Sequence, residues 1–261
     1  MPRFTLRTRE NTPLYTGTFS CLRRCLESAA SDRVALDGLQ LHRPNLARAN
    51  LDDVRLRRGS LVGANLSGAN LSESCLEGSD FRSSCFQNAC LAYASLRGCR
   101  FEDALFGATD MTGTDLREAR FSTPSAFSLN FTECASMAGA GFVGPDDTLY
   151  PMTYPPLVVA GLSPCPIAFL DRHVWVEHRV MTHRDFITLR NTPLLTHPQH
   201  LRDPGHEPGH NPHGPLNLAS GHATLWPSLH ESLCALLLAH GRSQEKEQIA
   251  PDPLHPASIR P

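Results

Sequence analysis

Large apolar residues recur at every fifth position through the first half of the chain. From Leu36 to Phe121, all 18 positions of this series hold leucine, phenylalanine or methionine. Two residues before each, from residue 49 to residue 119, stands a small or modest side chain, of which Val54 is the bulkiest. A period of five fits neither an amphipathic helix nor a strand, whose periods are about 3.6 and about 2. The pattern therefore predicts a stacked repeat, in which each unit buries its large residue against neighbouring units.

The repeat unit resembles that of the pentapeptide-repeat family. Residues 64–71, with the sequence ANLSGANL, match the family's Ala-(Asp/Asn)-Leu-x-x unit, and the likeness extends over residues 34–125. The resemblance implies an all-β fold, a right-handed quadrilateral β-helix with four units per turn, so that residues twenty apart stack. It implies a rod of about four to five turns, roughly 20 Å long at about 4.8 Å per turn. It implies no enzymatic activity.

The segments on either side of the repeat predict two smaller structures. Residues 1–33 are interpreted as an extended polar stretch and a short helix, with Ser20 as the N-cap and Leu22, Leu26 and Ala29 on one face. This helix is expected to cover the open end of the repeat, which runs over residues 34–123. The proline- and glycine-rich segment 124–156 is interpreted as a connector, because no strand precedes the glycines of 139–144 and prolines exclude the helix that a dinucleotide site needs.

Residues 157–190 predict a small β-rich module that closes the other end of the rod. Residues 157–160, 167–170 and 174–176 have strand-like composition, and Thr182 with Asp185 forms a capping-box pattern that opens a short helix. The tail, residues 191–261, holds eleven of the 21 prolines and nine of the 13 histidines and is expected to be largely disordered. Within it, Ser228, Glu231 and a leucine face predict a helix over residues 228–240.

Three groups of residues are candidates for metal ligands. His206, His210 and His213 lie in the dense histidine tract, but no cysteine or carboxylate completes a site there, so weak binding is expected. The spacing of His173, Glu177 and His178 has one residue too many for an inverted zinc-protease motif. Cys21 and Cys25 lie one helical turn apart, but no second pair follows them.

Composition and charge limit the cellular location of the protein and the class of partner that it can bind. No stretch has the apolar length of a membrane span, and the first ten residues lack the apolar segment of a signal peptide, which favours a soluble, cytoplasmic protein. The resemblance implies that it is bacterial. The nine cysteines are then expected to be reduced thiols. Residues 36–125 carry eleven acidic residues and ten arginines. This near-neutral repeat lacks the basic stripe that direct nucleic-acid binding needs.

These observations favour a non-enzymatic scaffold that binds a protein partner and needs no cofactor. The candidate contact residues are Arg55, Arg57 and Arg58, a local basic patch in the repeat. A second hypothesis, drawn from the quinolone-resistance members of the family, is a DNA mimic that binds topoisomerase (gyrase), which would require a continuous negative stripe. A third is metal binding by the histidine-rich tail. The resemblance also implies that the rod can form a homodimer.

Overall fold

The computed structural model describes residues 1–122, 124–159, 167–176 and 179–188. The chain divides into two compact units, Met1–Val180 and Met181–Pro261. Among the described residues, no helix combines the length and the apolar character that crossing a membrane requires.

The N-terminal segment forms a β-hairpin followed by a helix. Strands β1 (Arg3–Arg7) and β2 (Pro13–Thr18) pair antiparallel, and helix α1 spans Leu22–Ser31. The predicted Ser20 cap is wrong, because Cys21 occupies the N-cap position and no side chain caps the helix there. The predicted apolar face is present, and α1 buries Cys25, Leu26 and Ala29.

Residues twenty apart pair in parallel through the repeat, so four five-residue units complete one turn. Bridges with this spacing run from Gln40 and Ser60 to Ser95 and Asp115, and they include the short strands β3 (Arg100–Phe101) and β4 (Arg120–Phe121). Every residue of the apolar series is buried except Leu41, which lies in the first turn and is half-buried. The repeat is therefore a β-helix solenoid, as its period predicts; its right-handed sense stays a prediction.

Each five-residue unit ends in a bend whose second residue has left-handed backbone geometry. All 17 residues at this position, every fifth residue from 38 to 118, have positive φ, and eleven of them are not glycine. Tyr93 (φ 60°) and Arg58 (φ 53°) are among these. This geometry turns the chain through the corner and places these side chains on the outside of the solenoid.

Phenylalanines fill the later turns of the core in two columns. Phe81, Phe101 and Phe121 stack with ring centroids 5.6 and 5.3 Å apart, and Phe86 stacks on Phe106 at 5.6 Å. Rings of one column meet rings of the other edge to face. The twenty-residue register predicts both columns.

The stack continues beyond the last regular repeat. Strand β5 (Gly141–Val143) pairs in parallel with β4, with Arg120 opposite Gly141, so this turn contains one extra residue. Strand β6 (Leu149–Pro151) then pairs antiparallel with β5. Short 3-10 turns, Pro124–Ser128 and Phe131–Glu133, replace the regular units. The segment interpreted as a connector thus forms a further turn of the stack. In this turn, Phe131 and Phe142 extend the apolar core although the five-residue period has ended.

A four-stranded sheet follows β6 along the chain. Its strands are β7 (Leu157–Val159), β8 (Ile167–Phe169), β9 (His173–Val176) and β10 (Arg179–Thr182), in the order β10-β9-β8-β7. Trp175 packs edge to face on Phe127 and Phe142, with centroids 5.9 and 6.1 Å apart. The aromatic core of the last turn therefore continues into this sheet.

The described part of the second unit contains helix α2 (His183–Thr188). The Thr182 hydroxyl accepts a hydrogen bond from the backbone N–H of Asp185 (3.1 Å), as the capping-box pattern predicts. The same hydroxyl donates a hydrogen bond to the Asp185 carboxylate (2.8 Å). The histidine-rich tail and the predicted helix 228–240 lie outside the described residues.

Candidate protein interface on the solenoid

Hydroxyl and thiol groups inside the solenoid bond one turn to the next. The buried Ser79 hydroxyl donates to the carbonyl of Leu56 (2.8 Å) and accepts from the N–H of Gly59 (3.1 Å). Ser84 makes the same pair of bonds one unit later, and the Cys99 thiol donates to the carbonyl of Leu76 (3.0 Å). Burial raises the pKa of Cys99 to about 12, so this thiol stays protonated. These bonds add to the hydrogen bonds of the backbone ladder and hold successive turns of the solenoid in fixed positions.

The middle turns of the solenoid have two unlike sides. One half of each turn, here called the charged side, comprises residues 55–63, 75–83 and 95–103 and contains ten charged residues. The other half, the neutral side, comprises residues 65–73, 85–93 and 105–113 and contains two, Glu73 and Asp110. Because residues twenty apart stack, each side is continuous along the solenoid. Total charge, which is near zero, conceals this division.

Ion pairs neutralise most of the charged side. Asp80 pairs with Arg82 (2.7 Å) and Glu102 with Arg100 (3.1 Å), each within one turn. Arg97 pairs with Glu118 of the next turn (2.7 Å). Burial raises the pKa of the Asp80 carboxyl, but hydrogen bonds from Arg82 outweigh it and hold the pKa below its usual value. The Asp80 carboxylate is therefore held in its charged form.

The predicted contact residues Arg55, Arg57 and Arg58 lie together on the charged side. Arg55 is exposed and pairs with Asp37 of the preceding turn, with Nη2 and Oδ2 2.8 Å apart. Arg57 is half-buried, and its enclosed Nε has no hydrogen-bond partner among the described residues. Arg58 is exposed at a corner. Burial raises the pKa of Asp37, but bonds from the Arg57 N–H and the Arg55 side chain bring it below its usual value.

The neutral side carries the two large apolar residues that the solenoid exposes. Tyr93 is 66% exposed and Leu105 is 50% exposed. The Tyr93 ring lies over Gly113, where a Cβ atom would come within 2.5 Å of it. The Asp110 carboxylate accepts hydrogen bonds from the hydroxyl and the backbone N–H of Thr112. The bond from the N–H is the main cause that lowers the pKa of Asp110 below its usual value. Sequence reasoning did not single out Tyr93, although its place at the second bend position marks it as outward-facing.

Acidic residues do not line up along any face of the described solenoid. In the column Asp37, Arg57, Glu77 and Arg97, the stacked charges alternate in sign. The longest run of acidic residues stacked in consecutive turns is the pair Asp53 and Glu73. The structure therefore lacks, over its described turns, the continuous negative stripe that distinguishes a DNA mimic.

The candidate metal ligands are not brought together by the described residues. No group of three histidine, cysteine or acidic side chains is placed to hold a metal ion within the described ranges. Cys25 is buried while Cys21 is exposed, and the ring of His173 packs against Tyr150 at 4.8 Å. Glu177, His178, His206, His210 and His213 lie outside the described residues. The seven described cysteines are free thiols.

Comparison with protein families identifies the repeat directly. The family model for pentapeptide repeats matches residues 45–82 and 84–122 in eight copies. No curated protein sequence matches the chain.

Several solved structures are similar to this chain at low identity. A pentapeptide repeat protein from the cyanobacterium Cyanothece 51142 is 24% identical, with a TM-score of 0.27, and the match covers 34% of this chain and 57% of that protein. One from Nostoc PCC 7120 is 24% identical, with a TM-score of 0.30, over 38% of this chain and 85% of that protein. QnrB1, described as a plasmid-mediated fluoroquinolone resistance protein, is 13% identical, with a TM-score of 0.30, over 42% and 77%.

The match therefore lies in the solenoid, and the chain spans little more than half the length of the first of these relatives. By the family model, residues 45–82 and 84–122 of this chain are pentapeptide repeats.

Proposed function

We propose that this protein is a non-enzymatic scaffold whose solenoid binds a protein partner through its charged side. The observation that carries the proposal is the group Arg55, Arg57 and Arg58, whose one acidic partner among the described residues is Asp37. Asp37 pairs with the Arg55 guanidinium and accepts the backbone N–H of Arg57. No ion pair of the Arg57 or Arg58 guanidinium is found within the described ranges. The other arginines of the charged side have their own acidic partners. The group is therefore the place where an acidic protein surface gains most from contact.

The rigidity of the solenoid supports this role. A surface fixed by a backbone ladder and by buried Ser79 and Ser84 bonds loses little conformational entropy when a partner binds. Flat, preorganised surfaces of this kind are the usual binding sites of solenoid proteins.

The test is affinity capture from the host lysate with three forms of the tagged chain. These are the wild type, the variant with Arg55, Arg57 and Arg58 changed to Glu, and a chain ending at residue 190. We expect the wild type and the truncated chain to retain the same stoichiometric partner and the triple variant to lose it, without a change in melting temperature. A partner that binds the triple variant as well as the wild type contradicts the proposal.

The two other functions have less support. A topoisomerase-binding DNA mimic needs a negative stripe, whereas the acidic residues of the described turns stack at most two deep. A supercoiling assay with DNA gyrase tests it, and inhibition by the wild type would favour it over the scaffold. Metal binding by His206, His210 and His213 rests on sequence alone, and zinc titration of the full chain against a chain ending at residue 190 tests it.

A further inference from the structure

Positive charge is concentrated at the N-terminal end of the first unit. Residues 1–63, which comprise the hairpin, α1 and the start of the solenoid, contain eleven arginines and six acidic residues. Residues 64–180 contain seven arginines and thirteen acidic residues. Because successive turns stack in chain order, the solenoid has a basic beginning and an acidic continuation. The field of such a charge distribution draws an acidic molecule towards the first turns.

The N-terminal hairpin pairs with the first solenoid turn and brings Arg9 to one of its corners. Thr8, which follows β1, forms an antiparallel bridge with Leu39. In an antiparallel pair, the residue after Thr8 stands opposite the residue before Leu39, so Arg9 lies beside Gly38. Thr8 Cγ2 lies 3.7 Å from the position that a Cβ atom of Gly38 would take, so the hairpin touches this corner. Arg9 itself is exposed.

Arg58 occupies the same corner one turn later. Gly38 and Arg58 are twenty residues apart, and the N–H of Gly38 donates to the carbonyl of Arg57 (2.7 Å). Two strand spacings therefore separate Arg9 from Arg58, which places their Cα atoms roughly 10 Å apart. Gly38, which lies between them, has no side chain to separate the two guanidinium groups.

The corner leaves both arginines without an acidic partner among the described residues. Neither Arg9 nor Arg58 forms an ion pair within the described ranges. In the next two turns the same corner holds Gly78 and Gly98, both with positive φ. The stem of Arg58 lies over Gly78, where a Cβ atom would come 3.6 Å from Arg58 Cγ. An extended chain can therefore lie close to the solenoid backbone along this corner.

The chemistry of the corner fits an acidic protein segment. Guanidinium groups bind carboxylates through two parallel hydrogen bonds. In an extended chain, side chains at alternate positions share one face and lie about 6.7 Å apart, within reach of two long arginine side chains. Single-stranded nucleic acid binds where bases can stack on exposed aromatic rings. Among the described residues, the large aromatic side chain that is exposed is Tyr93, on the neutral side.

We propose that the corner formed by Arg9, Gly38 and Arg58 binds an extended acidic segment of a protein partner, with Asp or Glu at alternate positions paired to the two arginines. This contact rests on the proposed function, because Arg58 belongs to both sites. It adds the hairpin residue Arg9 to the interface and specifies the partner as an extended segment with alternating carboxylates.

Titration calorimetry of the full-length chain with a synthetic peptide of Glu-Ser repeats tests the proposal. We expect binding that Arg9→Glu and Arg58→Glu each weaken roughly tenfold or more, since each change replaces an attractive charge pair by a repulsive one. Glu73 and Glu118 also have positive φ, so glutamate at position 58 keeps the fold. Arg3→Glu is the matched control, because it reverses an exposed charge of the same hairpin roughly 20 Å along the strand from Arg9. It should change the affinity by about twofold or less, because salt screens charges at that distance.

Several outcomes would overturn the proposal. Absence of binding to the Glu-Ser peptide does so, as does equal affinity for a peptide of Gln-Ser repeats or equal weakening by the Arg3→Glu control. Tighter binding to a thymidine oligonucleotide or to phosphatidylserine vesicles than to the Glu-Ser peptide would also contradict it.

The Arg9→Glu variant also separates this proposal from the proposed function. In affinity capture from the host lysate, we expect Arg9→Glu to lose the same partner as the triple arginine variant. A partner that the triple variant loses and Arg9→Glu keeps would contradict the corner contact and leave the proposed function in place. A partner that the triple variant keeps would contradict the proposed function.

Discussion

Arg23 and Glu27, one helical turn apart on α1, bond complementary backbone groups of the first solenoid turn. Arg23 Nη1 donates to the carbonyl of Ala47 (3.0 Å), and Glu27 Oε1 accepts from the N–H of Asn50 (3.2 Å). One turn later, the equivalent groups bond to backbone: the Ser67 carbonyl to the N–H of Arg48, and the Asn70 N–H to the carbonyl of Ala49. The two side chains thus stand in for the turn that is missing at the start of the stack.

Removing both side chains should expose the first turn. For Arg23→Ala with Glu27→Ala, we expect a loss of roughly 1–3 kcal/mol in the free energy of unfolding, since a strand edge loses its partners. Urea denaturation measures the loss. Arg24→Ala is the control, because Arg24 is exposed and contacts Glu27 but not the first turn. Equal loss in both variants would show that the two bonds to the first turn add nothing.

The aromatic columns should dominate the stability of the later turns. Phe101→Ala removes a ring that stacks on Phe81 and Phe121, and we expect it to cost about 3–5 kcal/mol. Leu105→Ala changes a half-exposed side chain four residues away and should cost about 1 kcal/mol or less. Thermal denaturation of the two variants compares these costs. Similar melting temperatures would mean that the core repacks around the lost ring.

The inward serines should matter although they are small. Ser79→Ala leaves the Leu56 carbonyl and the Gly59 N–H without this hydroxyl, and we expect a cost of roughly 1–2 kcal/mol. Ser60→Ala is the matched control, because the Ser60 hydroxyl makes no hydrogen bond among the described residues. The prediction fails if urea midpoints of the two variants coincide.

The thiols should react in an order set by burial. Cys21 is exposed, and a hydrogen bond from the backbone of Arg24 is the main cause that lowers the pKa of its thiol. Cys99 is fully buried with a pKa raised to about 12. Iodoacetamide labelling of the native protein, read by peptide mass spectrometry, should therefore modify Cys21 first and Cys99 only after unfolding. Early labelling of Cys99 would contradict the packed core.

Acid should weaken the surface carboxylate pairs. A hydrogen bond from the Arg117 side chain is the main cause that lowers the pKa of Asp115 from its ordinary 3.8. The folded state therefore favours the charged form of Asp115. This contribution is present above pH 3.8 and is lost as pH falls through the lower folded-state pKa. Asp115→Asn should then cost up to about 1 kcal/mol at neutral pH and almost nothing at a pH below the folded-state pKa. A cost that is unchanged in acid would exclude the ionised pair as its source.

The amino-acid sequence by itself determined the architecture of the solenoid. One large and one small residue every five positions mark the core residues of a stacked repeat. The turn of four units, which the family resemblance implies, then places the phenylalanines in two columns. Short capping patterns also carry local information, as Thr182 and Asp185 do. Ser20 does not cap the helix, because the helix begins one residue later than the pattern predicts, after Cys21.

Tertiary structure alone decided how the stack begins and ends and which charges meet. The bonds of Arg23 and Glu27 to the first turn, and the pairing of Gly141 with Arg120, join residues that no periodic pattern relates. Arg55 pairs with Asp37, which lies eighteen residues earlier and not the twenty of a full turn. A repeat fixes contacts at its own period, whereas contacts outside that period depend on where the folded chain brings distant residues together.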